Sequence, residues 1–331
     1  MVASTQAGDR GDARSRRGGW ALLAAVVVGA AGVMLGCGSA GSTGDAGSAA
    51  AVPNPKPSAS KPGARPASST GSAGGRAARI VFVDVGQGDA TIIRSGAWAG
   101  LIDGGPAGSE RRIEAALRRL GVRRLSTVFV SHMHADHTGG LPGVVADLRP
   151  RRVFVAGSPG STLAGAFRTA GTRVVQARRG ATLRFGAVRV TVLSPPGLSG
   201  DANADSLVLL VAAGGRRFLF TGDCTGPNEA AVGRICARGP PVDVLKVSHH
   251  GSRYSTTAGF LDDARPRTAV ISVGANSYGH PTQQTIDRLR SSGARVYSTQ
   301  KSGSITLTVS SGCAVAWSFP RSSKQVTRGA R

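Results

Sequence analysis

Ser131-His132-Met133-His134-Ala135-Asp136-His137 sets three imidazoles and a carboxylate directly after the apolar run Thr127–Val130. The run reads as a β-strand. Alternating residues at a strand end point the same way, which aims His132 and His134 at one place. A turn into a helix after His137 then carries Asp136 and His137 beside them. Imidazole and carboxylate are donors that borderline divalent metals accept. The chain of 331 residues has six histidines, the other three being His249, His250 and His280. A solvated polar loop does not account for half of them falling in one short window.

Outward from this window, Ile80–Val83, Ala90–Arg94 and Trp98–Ile102 read as a meander of strands separated by glycine-rich turns. Ser109–Leu120 places Ile113, Ala116, Leu117 and Leu120 at helical spacing, with Gly121 as a stop. Further strands are expected at Val153–Val155, Val174–Gln176, Val188–Leu193, Leu207–Val211, Arg217–Thr221, Val244–Val247, Ala269–Val273, Arg295–Tyr297 and Ile305–Val309. Helices are expected at Pro227–Cys236, Thr256–Asp263 and Pro281–Ser291. Such alternation predicts a layered α/β domain over residues 79–319. Nothing repeats at a short fixed period, which excludes a solenoid or propeller.

These motifs resemble the metallo-β-lactamase fold, whose signature HxHxDH is matched by His132, His134, Asp136 and His137. The resemblance implies an α/β, four-layer αββα architecture. It also implies that the first two histidines bind one metal, and Asp136 and His137 a second. Leu101-Ile102-Asp103-Gly104-Gly105 resembles the early motif whose aspartate supports the metal-binding loop. Phe220-Thr221-Gly222-Asp223 resembles the strand-end motif whose aspartate bridges both metals, and Val247-Ser248-His249-His250-Gly251-Ser252 the late histidine motif. A finer pattern comprises Asp84-Val85-Gly86-Gln87-Gly88-Asp89-Ala90, Asp205-Ser206-Leu207-Val208-Leu209 and Asn276-Ser277-Tyr278-Gly279-His280-Pro281. It is similar to the hydrolase domain of the DNA-uptake channel family ComEC over residues 79–310. The similarity does not extend to that family's membrane channel.

Of the late pair, His249 is preferred as the ligand over His250, because it follows a strand and Ser248 as His132 follows a strand and Ser131. The fold's usual third histidine on the first metal has no counterpart, since no histidine lies between His137 and His249. Asn203 or Asp205 could supply an oxygen there; the ComEC branch likewise carries Asn in place of His. Oxygen for nitrogen makes the site harder, so one or two divalent ions, Zn²⁺ or Mn²⁺, are expected. Metal-activated water is the implied nucleophile. His280 is the candidate to protonate the leaving alkoxide, with a structural role in a loop as the alternative. Ser252, Ser255 and Asn276 are candidates to hydrogen-bond a phosphate. Asp84 and Asp89 flank a glycine turn, either orienting loops near the metals or closing the turn. Lys246, inside an apolar strand, reads as a strand-edge residue.

Arginine outnumbers lysine 36 to 5, and the net charge is +23. Residues 80–331 keep 32 basic and 15 acidic residues, a net +17, so the folded part itself attracts polyanions. Four cysteines without a CxxC pair exclude a zinc ribbon and a disulfide-dense scaffold. Arg10, Arg14, Arg16 and Arg17 precede the uncharged run Trp20–Leu35, which reads as an export signal. Gly36-Cys37 resembles a lipoprotein cleavage box, with ordinary cleavage or an uncleaved anchor as alternatives. Residues 1–37 are therefore expected to be a signal or anchor, 38–78 an Ala/Gly/Ser/Pro-rich tether, and 320–331 a basic tail. Among Cys224, Cys236 and Cys313, one pair could form a disulfide in an oxidising compartment. The expectation is an exported metal-dependent hydrolase, held at the cell surface through Cys37 or the apolar segment, or else secreted. Its expected substrate is polyanionic, DNA foremost, and no obligate protein partner is implied. Hydrolysis of another phosphodiester, such as a cell-wall polymer or lipid head group, and a non-catalytic surface DNA-binding module are the alternatives.

Overall fold

Strand β14 (Ile305–Ser310) buries Ile305, Leu307 and Val309 and leaves Thr306, Thr308 and Ser310 half-buried, the period-two pattern of a sheet with one face on a core. The structure, a computed structural model, describes residues 76–320. The chain begins with β1 (Arg76–Phe82), β2 (Thr91–Ser95), β3 (Trp98–Ile102), α1 (Glu110–Arg119), β4 (Thr127–Phe129), α2 (Ala135–Thr138) and α3 (Leu141–Leu148). It continues through β5 (Arg152–Val155), α4 (Gly160–Thr169), β6 (Arg173–Gln176), β7 (Thr182–Phe185), β8 (Val188–Ser194), β9 (Val208–Ala213) and β10 (Arg216–Phe220). Then come α5 (Gly226–Ala237), β11 (Val244–Lys246), α6 (Ala258–Ala264), β12 (Thr268–Ile271), α7 (Gln283–Ser291), β13 (Arg295–Ser298) and α8 (Thr299–Ser302). After β14, β15 (Val315–Ser318) closes the described chain.

The strands form two sheets, ordered β15-β14-β1-β2-β3-β4-β5-β6 and β13-β12-β11-β10-β9-β8-β7. Their facing sides share a core built on Phe82, Phe129, Phe154, Phe218, Phe220 and Leu307. Ile113 and Leu117 of α1, Leu141 and Val145 of α3, and Phe167 of α4 cover the other side of the first sheet. Val232 of α5, Phe260 and Leu261 of α6, and Ile286 and Leu289 of α7 cover the other side of the second. The result is the expected four-layer αββα arrangement, in which each helix buries one apolar stripe.

Strands β3 to β6 run parallel, as do β10 to β13. In open α/β sheets the crevice beyond the C-terminal strand ends is where ligands sit. Asp103 follows β3, His132 follows β4, Asp223 follows β10 and the His249–His250 pair follows β11, so these four motifs fall at such ends.

The structure departs from expectation in several places. Strand β1 starts at Arg76, inside the stretch read as tether, and α4, β7 and β15 had no counterpart in the sequence reading. Lys246 is not at a sheet edge: β11 lies between β10 and β12, with Lys246 opposite Phe220 and Val270, and it is 3% exposed. Cys224, Cys236 and Cys313 are all free thiols, so no disulfide pairs them. Burial pushes the Cys224 thiol up to about 12 and Cys236 to about 11, which keeps both unreactive. The stretch read as an export signal, Cys37, the tether up to residue 75 and the expected tail from Arg321 onward lie outside the described residues. Among the described residues, no helix is long and apolar enough to cross a membrane.

Candidate metal centre

The first half of the site is built by Asp103, which holds a left-handed backbone (φ 56°) at the end of β3 and is buried. Its carboxylate accepts from Ser131 N–H at 2.7 Å and Ser131 Oγ–H at 2.8 Å, and lies 3.0 Å from His137 Nδ1. This fixes the exit of β4 and turns His137 so that Nε2 faces inward. His137 Nε2 lies 3.3 Å from Asp223 Oδ1 and 3.8 Å from Asp136 Oδ2. His132 Nδ1 lies 3.0 Å from Ser131 Oγ and 3.5 Å from Ser206 Oγ. Its Nε2 is 3.0 Å from His134 Nδ1 and 3.9 Å from Asp223 Oδ2.

The second half comes from β10 and β11. Gly222 turns with φ 52°, and a Cβ there would meet the Ser131 Cβ at 2.7 Å, so glycine lets the two strand ends close on each other. Asp223 follows, its N–H donating to Ser206 Oγ at 3.1 Å. After β11 a 3₁₀ turn spans Ser248–Gly251, with His249 (φ 48°) and His250 (φ 51°) both left-handed. That backbone separates the two imidazoles. His250 is buried, its Nδ1 is 2.9 Å from the Ser272 carbonyl, and its Nε2 is 3.0 Å from Asp136 Oδ2 and 3.6 Å from Asp223 Oδ2. His249 keeps 28% of its side chain exposed and reaches Asp223 Oδ2 only at 3.8 Å.

Three triads among the described residues have donor atoms close enough to share one ion and include Asp223 or His250: His132, His137 and Asp223; Asp136, His137 and His250; and Asp89, Asp223 and His250. His250 belongs to two of them and His249 to none, which reverses the order expected from sequence. A bound Nδ1 leaves Nε2 as the ligand atom, and the Ser272 carbonyl does this for His250. Asp205 is also displaced as a ligand, because its carboxylate accepts from Ser199 N–H, Ser199 Oγ–H and Gly200 N–H. Asn203 keeps a buried Oδ1 with no hydrogen-bond partner, so its side-chain oxygen stays open as a donor.

Ser252, Ser255 and Asn276 are not presented to a phosphate. Ser252 and Ser255 are buried, and Ser255 Oγ donates to the Ser248 carbonyl at 3.1 Å. Asn276 staples its loop through the Gly274 carbonyl, the His280 carbonyl and His280 N–H. His280 stacks edge-on to His249 with ring centroids 5.5 Å apart. Partial burial, then His249 and His250, push its pKa down, which works against service as a proton donor.

Two residues not among the expected ligands enter the site, Asp89 in the loop-orienting role that was one of its two readings and Lys246 against its reading as strand edge. Asp89 and Lys246 form a buried ion pair, and Lys246 Nζ also donates to the Gly222 carbonyl at 3.3 Å. Asp89 lies 3.7 Å from both His137 Nδ1 and His250 Nδ1. The signal was present in part: a lone lysine in an apolar strand one residue before the late histidine motif, and an acid closing the glycine turn. The partnership across 157 positions was not.

The residues present fit divalent metal. His137 Nε2, His250 Nε2 and Asp223 Oδ1 are buried and make no well-aligned hydrogen bond, yet carboxylate oxygens converge on the two ring nitrogens at 3.3 Å and 3.0 Å, the donor set a divalent ion takes. Burial, then the neighbouring His137 charge, push His132 down to about 2, leaving it a neutral donor. Burial opposes the charged form of Asp223, but His137 and His250 outweigh it and hold the carboxyl well below its usual range. Burial likewise opposes protonation of His250, and Asp223 and Asp89 outweigh it to raise its pKa. The Asp89, Asp103, Asp136 and Asp223 carboxylates thus crowd one pocket whose only lysine is Lys246.

His250→Ala is expected to lower Mn²⁺ or Zn²⁺ affinity by more than about 100-fold, since loss of a mere supporting partner already costs about 10–100-fold. His249→Ala should change it less than about tenfold. Equilibrium dialysis with elemental analysis reads both, and equal losses would return His249 to the ligand set. Lys246→Met leaves Asp89 buried and unpaired and is expected to cost about 3–5 kcal/mol, with partial recovery in Lys246→Met/Asp89→Asn. Urea denaturation of the metal-free proteins measures this, and no loss in the single variant would show the pair to be dispensable.

Comparison with known proteins places these observations. Residues 83–275 match the family described as the Metallo-beta-lactamase superfamily. ComE operon protein 3 of Bacillus subtilis (strain 168) is 29% identical over 251 residues, covering 68% of this chain and 32% of that protein. Competence protein ComA of Neisseria gonorrhoeae is 34% identical over 232 residues, covering 69% and 32%. The chain thus spans about a third of the length of these curated relatives. CmlA, a diiron beta-hydroxylase from Streptomyces venezuelae, superposes with TM-score 0.51 at 20% identity over 71% of this chain and 54% of its own. That structure carries the fold alone, and its different chemistry shows that fold does not fix reaction. With the family match spanning most of the folded domain and the histidine and aspartate motifs converging at one strand edge, the chain belongs to the metallo-β-lactamase superfamily.

Proposed function

We propose that the protein is a metal-dependent phosphodiesterase that cleaves DNA outside the cytoplasm. The observation that carries the hydrolytic part is the convergence of buried imidazole and carboxylate donor atoms around Asp223. His132 and Asp223 would hold one ion, with the exposed His134, whose Nδ1 lies 3.0 Å from His132 Nε2, and Asn203 Oδ1 as further donors; Asp136, His137, His250 and Asp223 would hold the other. Bound divalent ions supply a Lewis acid and lower the pKa of water towards neutrality.

The chain's own residues prepare that chemistry. Asp103 and the Ser272 carbonyl lock the His137 and His250 rings through Nδ1, so neither imidazole has to reorganise when the ion arrives. Lys246, paired with Asp89, holds a fixed ammonium behind the carboxylates. His249, half-buried and stacked on His280, lines the open side, where it can hydrogen-bond a phosphate oxygen.

A DNA substrate is supported by the net +17 of residues 80–331 and by the motifs shared with the ComEC hydrolase domain. One of the relatives is named Competence protein ComA, which agrees with a nucleic-acid substrate. The basic, apolar N-terminus through Cys37 supports an exported, surface-held enzyme.

The test is cleavage of linear and circular duplex DNA by the full chain with Mn²⁺, with Zn²⁺ or with EDTA. Metal-dependent cleavage is expected, falling by about 10³-fold in Asp223→Asn, since loss of several kcal/mol of Lewis-acid stabilisation corresponds to that factor. Cleavage of the circle would mark an endonuclease. A folded, metal-loaded protein that cuts neither substrate but hydrolyses bis(p-nitrophenyl) phosphate would replace DNA with another diester.

A further inference from the structure

Along β7 and β8, Phe185, Val188 and Val190 pack into the core between the sheets, while Arg184 and Arg189 point the other way and are exposed. Arg184 sits directly across the ladder from Arg189. Like charges in direct cross-strand register destabilise the pair. Arg189 is in turn opposite Ala212 of β9, and this short side chain leaves a groove of about 260 Å³ lined by Arg184, Arg189, Gly186 and Gly214. Farther along β8, a second groove of about 570 Å³ lies between the strand and α5, lined by Arg179, Thr191, Leu193, Arg234 and Arg238.

All five arginines are exposed. The ion pairs that arginines make among the described residues use Arg118, Arg216, Arg267 and Arg290, none of the five. No carboxylate lines either groove. The acids nearby in sequence are engaged elsewhere: Asp205, Asp223 and Glu229 are buried, and Asp201 accepts from Asn203 N–H and Ala204 N–H in its own loop. Helix α1 differs, because Glu110 and Glu114 interleave its arginines and Glu114 pairs with Arg118 at 3.4 Å. The C-terminal dipole of α5 accommodates Arg234 and Arg238, but no local partner offsets Arg184 against Arg189.

We infer that this face is a second polyanion-binding surface, distinct from the metal centre, that holds the phosphate backbone of a DNA duplex. Strands β8 and β10 run the same way and Asp223 follows β10, so Arg184 and Arg189 lie at the end of the sheet away from the metals. Guanidinium groups grip phosphates bidentately, and a duplex offers them a closely spaced row of phosphates. The identity of the polyanion rests on the proposed nuclease function; the surface itself does not.

The test measures affinity of the full chain for a fluorescein-labelled duplex in EDTA across a KCl series. In Arg184→Gln/Arg189→Gln/Arg234→Gln the slope of log K against log salt is expected to fall by about 2–3, at about 0.9 per phosphate contact, with affinity down about tenfold or more. The charge-matched triple Arg119→Gln/Arg123→Gln/Arg124→Gln should lose less than about threefold. Metal-dependent hydrolysis of bis(p-nitrophenyl) phosphate and the melting temperature should be unchanged in both. Equal losses in the two triples, no loss in the first, or absence of duplex binding by the wild type would overturn the inference. So would loss of binding to phosphatidylglycerol vesicles with duplex affinity intact. Because EDTA removes cleavage from the measurement, duplex binding through this face without nuclease activity would retire only the proposed reaction. Nuclease activity indifferent to the first triple would retire only the surface.

Discussion

Asp223 is buried with both carboxylate oxygens facing imidazoles, and three further carboxylates crowd around it. A pocket of that charge is tolerable in a folded protein only if cations fill it. Lys246 supplies one fixed charge, and the Nε2 atoms of His137 and His250, each facing a carboxylate, mark where others belong. The surrounding architecture serves that requirement. Two parallel strand groups from separate sheets end at the same edge, and Gly222 lets those ends approach to a distance a side chain would forbid.

Each metal-facing ring is oriented by something behind it: Asp103 for His137, a main-chain carbonyl for His250, and serine hydroxyls for His132. These partners arise from different strands, so the sheet register sets the geometry of the centre. An aspartate in a left-handed conformation at position 103, and two consecutive left-handed histidines, are backbone costs that the packed sheets sustain next to the site. The basic face on β7, β8 and α5 belongs to the same economy of charge but stands apart, its arginines held over short side chains and glycine turns.

Much of this is legible in the sequence. The window His132–His137 is contiguous and sits at a strand boundary, so strand and turn geometry suffice to bring its donors together. Asp103 and Asp223 are legible through the resemblance of Leu101–Gly105 and Phe220–Asp223 to the family's aspartate motifs. The choice between His249 and His250 was not legible, because it depends on paired left-handed residues and on a carbonyl 22 positions away. Lys246 was misplaced for a related reason: strand composition does not say which neighbours flank β11, and those neighbours make the residue central. Ser252, Ser255 and Asn276 have the chemistry of phosphate ligands, yet local backbone groups claim them first. Helix α4 opens with Gly160-Ser161-Thr162 and was passed over, since such residues favour turns until packing of Leu163 and Phe167 decides otherwise.

The most direct measurement of the central claim is anomalous scattering from crystals of the full chain grown with Mn²⁺. An anomalous peak enclosed by His137 Nε2, His250 Nε2, Asp136 and Asp223 is the predicted result. A protein that takes up no ion in this pocket, or seats it away from Asp223 and His250, would contradict the account.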